Sequence, residues 1–221
     1  SLKMIYPKAP EFFLGFGRQR QKNCYFCSLY QPSNDSYLLE KAVKKFAKGK
    51  SFLDMGAGSG IQAETAISSG ASSVLASDIA PDSLNLLKAK KLNAIKSDLF
   101  ENIKDKFDII AFNPPYLPDD KREPKDSKLS TTGGKKGDEL ILRFLNQAKK
   151  HLAPEGAILL VISSLTPRKR ITKLLSSLNL KKTTLEREKL FMETLEVWAI
   201  KKSLWPTFGL LDVQDCNSSA D

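Results

Sequence analysis

The tetrapeptide Asn113-Pro114-Pro115-Tyr116 follows an apolar run, 107–112, that predicts a buried strand. Proline has no N–H for a strand ladder and restrains the residue before it, so the chain must leave the sheet at Asn113 in a stiff turn. The turn would present a carboxamide, a prolyl carbonyl and an aromatic ring at the carboxyl end of the strand, where open α/β sheets bind ligands. Two acceptors beside a stacking face suit a planar –NH₂ group. Holding both of its N–H bonds can aim the nitrogen lone pair at an electrophile.

A glycine-rich turn lies upstream, at Gly56, Gly58 and Gly60, between an apolar run and a helical pattern over 61–67. Strand, glycine turn and helix together bring the backbone close to a nucleotide-like ligand. The G-x-G-x-G spacing differs from the dinucleotide pattern G-x-G-x-x-G, and no Lys-Ser or Lys-Thr follows it, which argues against a P-loop. We expect Asp54 inside this turn, where its charge would repel a diphosphate. An acid there suits a ligand with a cationic ammonium or sulfonium centre.

Two further acids end predicted strands: Asp78 closes the run 73–78, and Asp98 follows the short run 94–97. A carboxylate at the end of the second strand can accept hydrogen bonds from both hydroxyls of a ribose. Asp98 is placed to accept from an adenine amino group. Each acid alone could equally be a turn residue or a helix N-cap. Together with Asp54, they predict a site for an adenosine-containing ligand at one edge of a sheet.

With these motifs the chain resembles the class I S-adenosylmethionine-dependent methyltransferases. More narrowly, it resembles the HemK/PrmC family, which methylates the glutamine of the Gly-Gly-Gln motif in class I release factors. The resemblance runs from about residue 30 to residue 201 and rests on the stretches 31–39, 54–60, 97–100, 113–116, 133–139 and 187–197.

The first and last of these stretches, and the lack of a separate helical N-terminal domain, favour the eukaryotic and archaeal branch. That branch usually has Glu-Pro-Ala-Glu-Asp-Thr where this chain has Gln-Pro-Ser-Asn-Asp-Ser at 31–36, so two acids are missing. Asp35 and the hydroxyl of Ser36 remain as candidate cofactor contacts.

The resemblance implies an α/β, Rossmann-like fold with a seven-stranded, mostly parallel sheet, a reversed last strand and helices on both faces. It implies S-adenosylmethionine as cofactor, S-adenosylhomocysteine as product, and no metal. The carbonyl oxygens of Asn113 and Pro114 would hold the N–H groups of the acceptor amide. Pro115 would stiffen the turn, and Tyr116 would pack along the substrate. The candidate cofactor-binding residues are Asp35, Ser36, Asp54, Gly56, Gly58, Gly60, Asp78, Ile79, Asp98, Leu99 and Asn113.

Two other functions remain open from the residues. The same tetrapeptide serves enzymes that methylate an exocyclic amine of adenine or guanine, because a base amine is equally planar. The net charge of +10 would favour a nucleic-acid substrate, although a ribosome-associated protein fits it as well. A methyltransferase-like fold kept as a binding module is the third possibility.

The resemblance also implies a partner, since members of that branch work as heterodimers with a small zinc-ribbon activator subunit. The candidate docking edge is 71–77 with 94–96, which carries few charges in a Lys-rich chain. An exposed apolar strand edge invites aggregation unless something covers it.

Composition predicts a cytoplasmic protein. The chain has 221 residues with 41% hydrophobic content, no run of about 20 apolar residues that a membrane span needs, and no signal-peptide core. Three cysteines are too few for a disulfide framework. We interpret Cys24 and Cys27 as partly buried thiols, because a zinc site would lack ligands.

We expect three segments: an N-terminal extension (1–29), a methyltransferase domain (30–202) and a C-terminal tail (203–221). The segment 117–136 is long, charged and rich in Pro and Gly directly after the reacting turn. A loop of this length in a compact domain is usually functional or disordered, and we interpret it as a lid over the substrate.

Overall fold

The computed structural model describes residues 32–116 and 132–203. The predictions for the N-terminal extension, for Cys24 and Cys27, for residues 117–131 of the expected lid and for the tail beyond residue 203 lie outside the described residues.

Five α-helices form within the described part of the chain. Apolar side chains at helical spacing bury one face of the first of them, including Leu39 and Val43. Even this longest helix has 13 residues, and no helix among the described residues is long and apolar enough to cross a membrane. The helices are α1 (Asn34–Phe46), α2 (Ile61–Ser68), α3 (Pro81–Ala89), α4 (Glu139–Ala148) and α5 (Arg168–Ser177), with a 3₁₀ turn (Lys149–His151) after α4.

Seven strands form one sheet in the order β3-β2-β1-β4-β5-β7-β6. β1 to β5 run parallel, whereas β7 is antiparallel to both of its neighbours. The predicted mostly parallel sheet with a reversed last strand is therefore confirmed. The strands are β1 (Ser51–Met55), β2 (Ser73–Asp78), β3 (Ala94–Lys96), β4 (Phe107–Phe112), β5 (Leu152–Ser163), β6 (Leu180–Lys189) and β7 (Thr194–Lys202).

Helices cover both faces of the sheet, as predicted. On one face, α4 and α5 bury side chains such as Phe144 and Ile171 against the sheet. On the other, α1 packs Leu39 and Val43, and α3 packs Leu87 beside α2. The central strands are buried on both faces, which explains why the sequence of β5 is a continuous apolar run.

Because β1 to β5 are parallel, they end at the same edge of the sheet, called here the carboxyl edge. The reversed strand β7 begins at this edge. The segments that leave it are the glycine turn after β1, the ends of β2 and β3, the Asn113 turn after β4 and the connection from β5 to α5. The fold therefore brings the predicted site residues together at one edge.

Candidate active site

Asp54 lies within β1, and our expectation that it sits inside the glycine turn is wrong. It pairs in register with Ala76 of β2 on one side and Ala111 of β4 on the other, so the ladder carries it into the sheet. Its Oδ2 accepts a hydrogen bond of 3.0 Å from the N–H of Ala63, in the first turn of α2. The side chain is buried, and this burial raises the pKa of Asp54 to about 7.

The glycine turn needs glycine for both conformation and space. Gly56, Gly58 and Gly60 have φ values of 61°, 51° and 82°, a left-handed region that other residues rarely adopt. A Cβ on Gly60 would stand 2.8 Å from side-chain atoms of Leu87. A Cβ on Gly56 would stand 3.3 Å from the ring of Phe112, so this turn lies directly against the end of β4.

Asp78 ends β2 as predicted, and both of its carboxylate oxygens are engaged. Oδ2 accepts from the N–H of Gly58 and Oδ1 from the N–H of Ala80, each at 2.8 Å. The carboxylate therefore fixes the middle of the glycine turn. Each oxygen keeps a second lone pair, so the residue can still accept from two ribose hydroxyls. Ile79 beside it is exposed, which leaves an apolar face next to this carboxylate.

Asp98 lies two residues beyond β3 and makes an ion pair that the sequence did not predict. Arg143 of α4 donates to its Oδ2 at 2.9 Å, and both side chains are about half exposed. Leu99 is buried and has a φ of 50°, and its carbonyl accepts from the hydroxyl of Ser97. The Ser97 hydrogen bond restrains the turn after β3, and a cofactor amine that donates to Asp98 would share its carboxylate with Arg143.

Asp35 and Ser36 lie in the first turn of α1 and are both buried. Oδ1 of Asp35 accepts from the hydroxyl of Ser33 and from the N–H of Ser36. The carbonyl of Ser36 accepts from Nε2 of Gln62 at 2.8 Å, which links α1 to the first turn of α2. Sequence reasoning missed Gln62. The sequence pattern could have indicated it, because it is a polar residue just after the glycine turn and on the buried side of a predicted helix.

Asn113 follows β4 directly, as predicted. Its Oδ1 is buried and has no hydrogen-bond partner within the described residues. A buried acceptor without a partner lowers the free energy of unfolding by about 1–3 kcal/mol. Its presence at the carboxyl edge, where ligands bind, is therefore evidence for a donor that arrives with a substrate. Pro114 is buried and Tyr116 packs against the core on the α1 side.

The segment 133–137, which leads into α4, packs against the Asn113 turn. A Cβ on Gly133 would stand 2.7 Å from the carbonyl oxygen of Pro115 and 2.4 Å from that of Gly137. Only glycine fits there without a shift of backbone. The Gly-Gly stretch that contributed to the family resemblance thus has a physical role, because it lets two backbone segments meet beside Asn113.

The described residues contain no group of three or more His, Cys, Asp or Glu side chains that could hold a metal. The buried carboxylates of Asp54, Asp78 and Asp35 accept hydrogen bonds from backbone N–H groups. The acids fit a ligand that brings hydroxyl, amino and cationic groups, which is the donor set of S-adenosylmethionine.

Comparison with known families gives a match to the methyltransferase small domain over residues 28–192. A putative protein N5-glutamine methyltransferase of Methanocaldococcus jannaschii is 37% identical over 177 residues, which cover 76% of this chain and 89% of that protein. The mouse methyltransferase HEMK2 is 28% identical over 205 residues, which cover 80% of this chain and 92% of that protein.

Among solved structures, the fold is similar to a chain of the E. cuniculi Mtq2–Trm112 complex. The TM-score is 0.66 at 25% identity, over 80% of this chain and 99% of that chain. That complex is described as responsible for the methylation of the eRF1 translation termination factor.

The raised pKa of Asp54 predicts that cofactor binding depends on pH. Burial keeps this carboxyl protonated in the folded chain up to about pH 7, whereas the unfolded group ionises near its ordinary pKa of 3.8. Between those values, its contribution to the free energy of unfolding falls as pH rises. A cationic group of S-adenosylmethionine beside Asp54 would favour the ionised form. We expect the affinity to rise with pH up to about 7, by at most about tenfold per unit for one released proton.

Calorimetry in two buffers that differ in ionisation enthalpy measures this proton release. Asp54→Asn is the control, since it keeps the shape and cannot titrate, and it should flatten the pH dependence. An affinity with the same pH dependence in both proteins would contradict the placement of a cationic group at Asp54.

A second prediction concerns Asp78. Asp78→Ala should weaken S-adenosylmethionine binding at least about tenfold, because charge-assisted hydrogen bonds are worth roughly 1.5–3 kcal/mol each. The thermal midpoint should also fall, since the N–H groups of Gly58 and Ala80 lose their acceptor. Asp105→Ala removes an exposed acid before β4, at the opposite edge, and is the matched control. Unchanged affinity in Asp78→Ala by calorimetry would place the ribose elsewhere.

Proposed function

The chain belongs to the methyltransferase small domain family and is an S-adenosylmethionine-dependent methyltransferase, and we propose that it methylates a glutamine side chain in a protein. The acceptor is the amide nitrogen of the glutamine in the Gly-Gly-Gln motif of a class I peptide chain release factor. The protein would act in the cytoplasm, where release factors work.

The observation that carries this proposal is the buried, unpartnered Oδ1 of Asn113. It stands on a turn that two prolines stiffen, beside the glycine turn through Phe112 and Gly56. A primary amide has two N–H bonds in one plane. It can therefore satisfy Oδ1 of Asn113 and the carbonyl of Pro114 at the same time.

These two acceptors activate a weak nucleophile by position and electrostatics. An amide nitrogen shares its lone pair with its carbonyl, and fixed acceptors on both N–H bonds localise that lone pair and orient it. The cofactor supplies an electrophilic methyl group. The amide nitrogen would take this methyl group in exchange for one of its protons, which would pass to solvent water. Asn113 and Pro114 stabilise the positive charge that develops on the nitrogen before the proton leaves.

The relatives support glutamine as the acceptor. A protein 37% identical over most of both chains carries the name of a protein N5-glutamine methyltransferase. The similar solved complex acts on a translation termination factor. A planar amide and a planar base amine would donate to Asn113 equally well. The choice of glutamine over a nucleobase therefore rests on these relatives.

The second candidate is an exocyclic amine of adenine or guanine, which the net charge of +10 favours. Transfer of labelled methyl to a purified release factor, stripped RNA and DNA in parallel decides between them. Label on the release factor that disappears when its motif glutamine is changed to asparagine supports the proposal. Label on nucleic acid alone would overturn it, and label on none of the three would favour a binding module.

Asn113→Ala should lower the rate of transfer by roughly 10²–10³, the usual cost of one preorganised polar contact in a transition state. The affinity for S-adenosylmethionine should stay close to that of the wild type, because the amide contacts the acceptor. Asn146→Ala is the matched control: this exposed residue near the end of α4 bonds only the carbonyl of Leu142 among the described contacts. Near wild-type turnover in Asn113→Ala would contradict the assignment.

We also propose a partner subunit at the β3 edge of the sheet. β3 has three residues and pairs with Ala76 to Asp78, so the first half of β2, Ser73 to Leu75, has no strand on that side among the described residues. A groove of about 470 Å³ lies there, lined by these residues, the start of β3 and residues 102–105. An open strand edge can accept a further strand by backbone pairing. The Mtq2–Trm112 complex supports a small activator subunit as its occupant.

A substitution at the rim tests the partner site. Asn93 is exposed and lines the groove, so Asn93→Arg should weaken binding of a Trm112-type subunit in a pull-down or by calorimetry. Asn146→Arg adds the same bulk and charge on α4 and should leave binding unchanged. If the chain alone is monodisperse and its turnover does not change when the subunit is added, the partner proposal fails.

A further inference from the structure

Five buried side-chain atoms of the described residues lack a hydrogen-bond partner, and all five lie on segments at the carboxyl edge. Two belong to parts of the site already described: Oε1 of Gln62 beside the glycine turn, and Oδ1 of Asn113. The other three are Oδ2 of Asp138, Oγ1 of Thr166 and Nη2 of Arg168. Unpartnered buried polar atoms are rare in proteins because each one costs stability, so their concentration at one edge points to a ligand.

Asp138 is fully buried and directly precedes α4. Its Oδ1 accepts a hydrogen bond of 2.8 Å from Nη1 of Arg170, in the first turn of α5. Its Oδ2 accepts none. The ion pair therefore joins the starts of two helices at the carboxyl edge and leaves one buried carboxylate oxygen without a partner.

Thr166 is 3% exposed and lies in the connection from β5 to α5. The hydroxyls before it all have partners: that of Ser163 bonds Glu193 and the N–H of Leu165, and that of Ser164 accepts from the N–H of Thr194. The hydroxyl of Thr166 has none. Of the three hydroxyls in this part of the chain, only the buried one of Thr166 therefore lacks a hydrogen bond.

Arg168 is held in place by a buried carboxylate. Its Nη1 donates to Glu196 at 3.2 Å, and its guanidinium lies 5.7 Å from the ring centre of Trp198. Burial works to raise the pKa of Glu196, but the Trp198 hydrogen bond and the charges of Arg168 and Arg187 outweigh it, so the pKa stays below its usual value. The carboxylate remains charged, and Nη2 of Arg168 is left as a fixed donor without a partner.

These three residues lie next to the reacting turn in the fold. Asp138 follows Gly137, whose carbonyl oxygen lies against Gly133, and Gly133 in turn lies against the carbonyl of Pro115. Thr166 and Arg168 follow β5, the strand that pairs with β4. The group therefore lies on the β5 side of Asn113, away from the glycine turn on the β1 side.

We propose that Asp138, Thr166 and Arg168 form a subsite for the polypeptide backbone that flanks the acceptor glutamine. A peptide supplies N–H donors for Oδ2 of Asp138 and carbonyl acceptors for Nη2 of Arg168, while the hydroxyl of Thr166 suits either. A nucleic-acid backbone supplies phosphate acceptors, which a buried carboxylate would repel. The inference rests on the proposed function and extends it, since it assigns residues that distinguish a protein acceptor from a nucleobase.

Thr166→Val tests the subsite, because valine has nearly the same shape and lacks the hydroxyl. Removing an unpartnered buried hydroxyl should leave the thermal midpoint equal to or above that of the wild type. The KM for the release factor should rise about 3- to 10-fold, the cost of one lost hydrogen bond, with unchanged affinity for S-adenosylmethionine. Thr172→Val is the matched control, since that hydroxyl of α5 already bonds the carbonyls of Arg168 and Lys169.

Arg168→Lys is the second variant. It keeps a positive charge for Glu196 and loses the second guanidinium nitrogen, so it should also raise the KM for the release factor while kcat stays within about twofold. A release-factor KM unchanged in both variants, with an active wild type, overturns the subsite and leaves the proposed function standing. A wild type that transfers methyl only to nucleic acid overturns both.

Discussion

Parallel strands in one sheet end at a common edge, and the placement of the candidate functional residues in the strands and in the turns that follow them depends on this constraint. Asp54, Asp78 and Asn113 are distant in sequence but lie at the same edge, because β1 is hydrogen-bonded in register to both β2 and β4. The reversed strand β7 adds Glu196 to the same edge. The connecting turns then carry the chemistry, and the apolar faces of five helices keep the strands in place.

Several groups at the carboxyl edge lower the stability of the folded chain. Burial holds the pKa of Asp54 near 7, so close to neutral pH the folded chain bears a cost that the unfolded chain avoids. Unpartnered acceptors and donors at Asn113, Asp138 and Arg168 add to that cost. A rigid core makes such an arrangement tolerable, because the strands that end here are buried on both faces. The same groups become favourable once a ligand supplies their partners, which is the physical meaning of a preorganised site.

The sequence predicted the fold well where local patterns decide it. β2 and β4 have the predicted bounds, because turn residues and prolines terminate their apolar runs. It was wrong about Asp54, since the glycine pattern does not reveal where pairing with two neighbouring strands stops. It also missed Arg143 opposite Asp98, and Arg168 held by Glu196, because contacts between distant segments leave no local pattern. The roles of the site residues in cofactor binding stay predictions.

The edge strands connect the proposed partner to the proposed cofactor site. β2 and β3 begin at the groove and end at Asp78 and near Asp98, so the proposed partner site and the proposed cofactor site lie at opposite ends of the same short strands. β3 pairs through three residues and is the least supported strand of the sheet. A partner that adds a strand along β2 would restrain β3 and, through it, the turn that carries Asp98. Binding at one end of the strands would then tighten the position of the carboxylates at the other, without any contact between the partner and the cofactor.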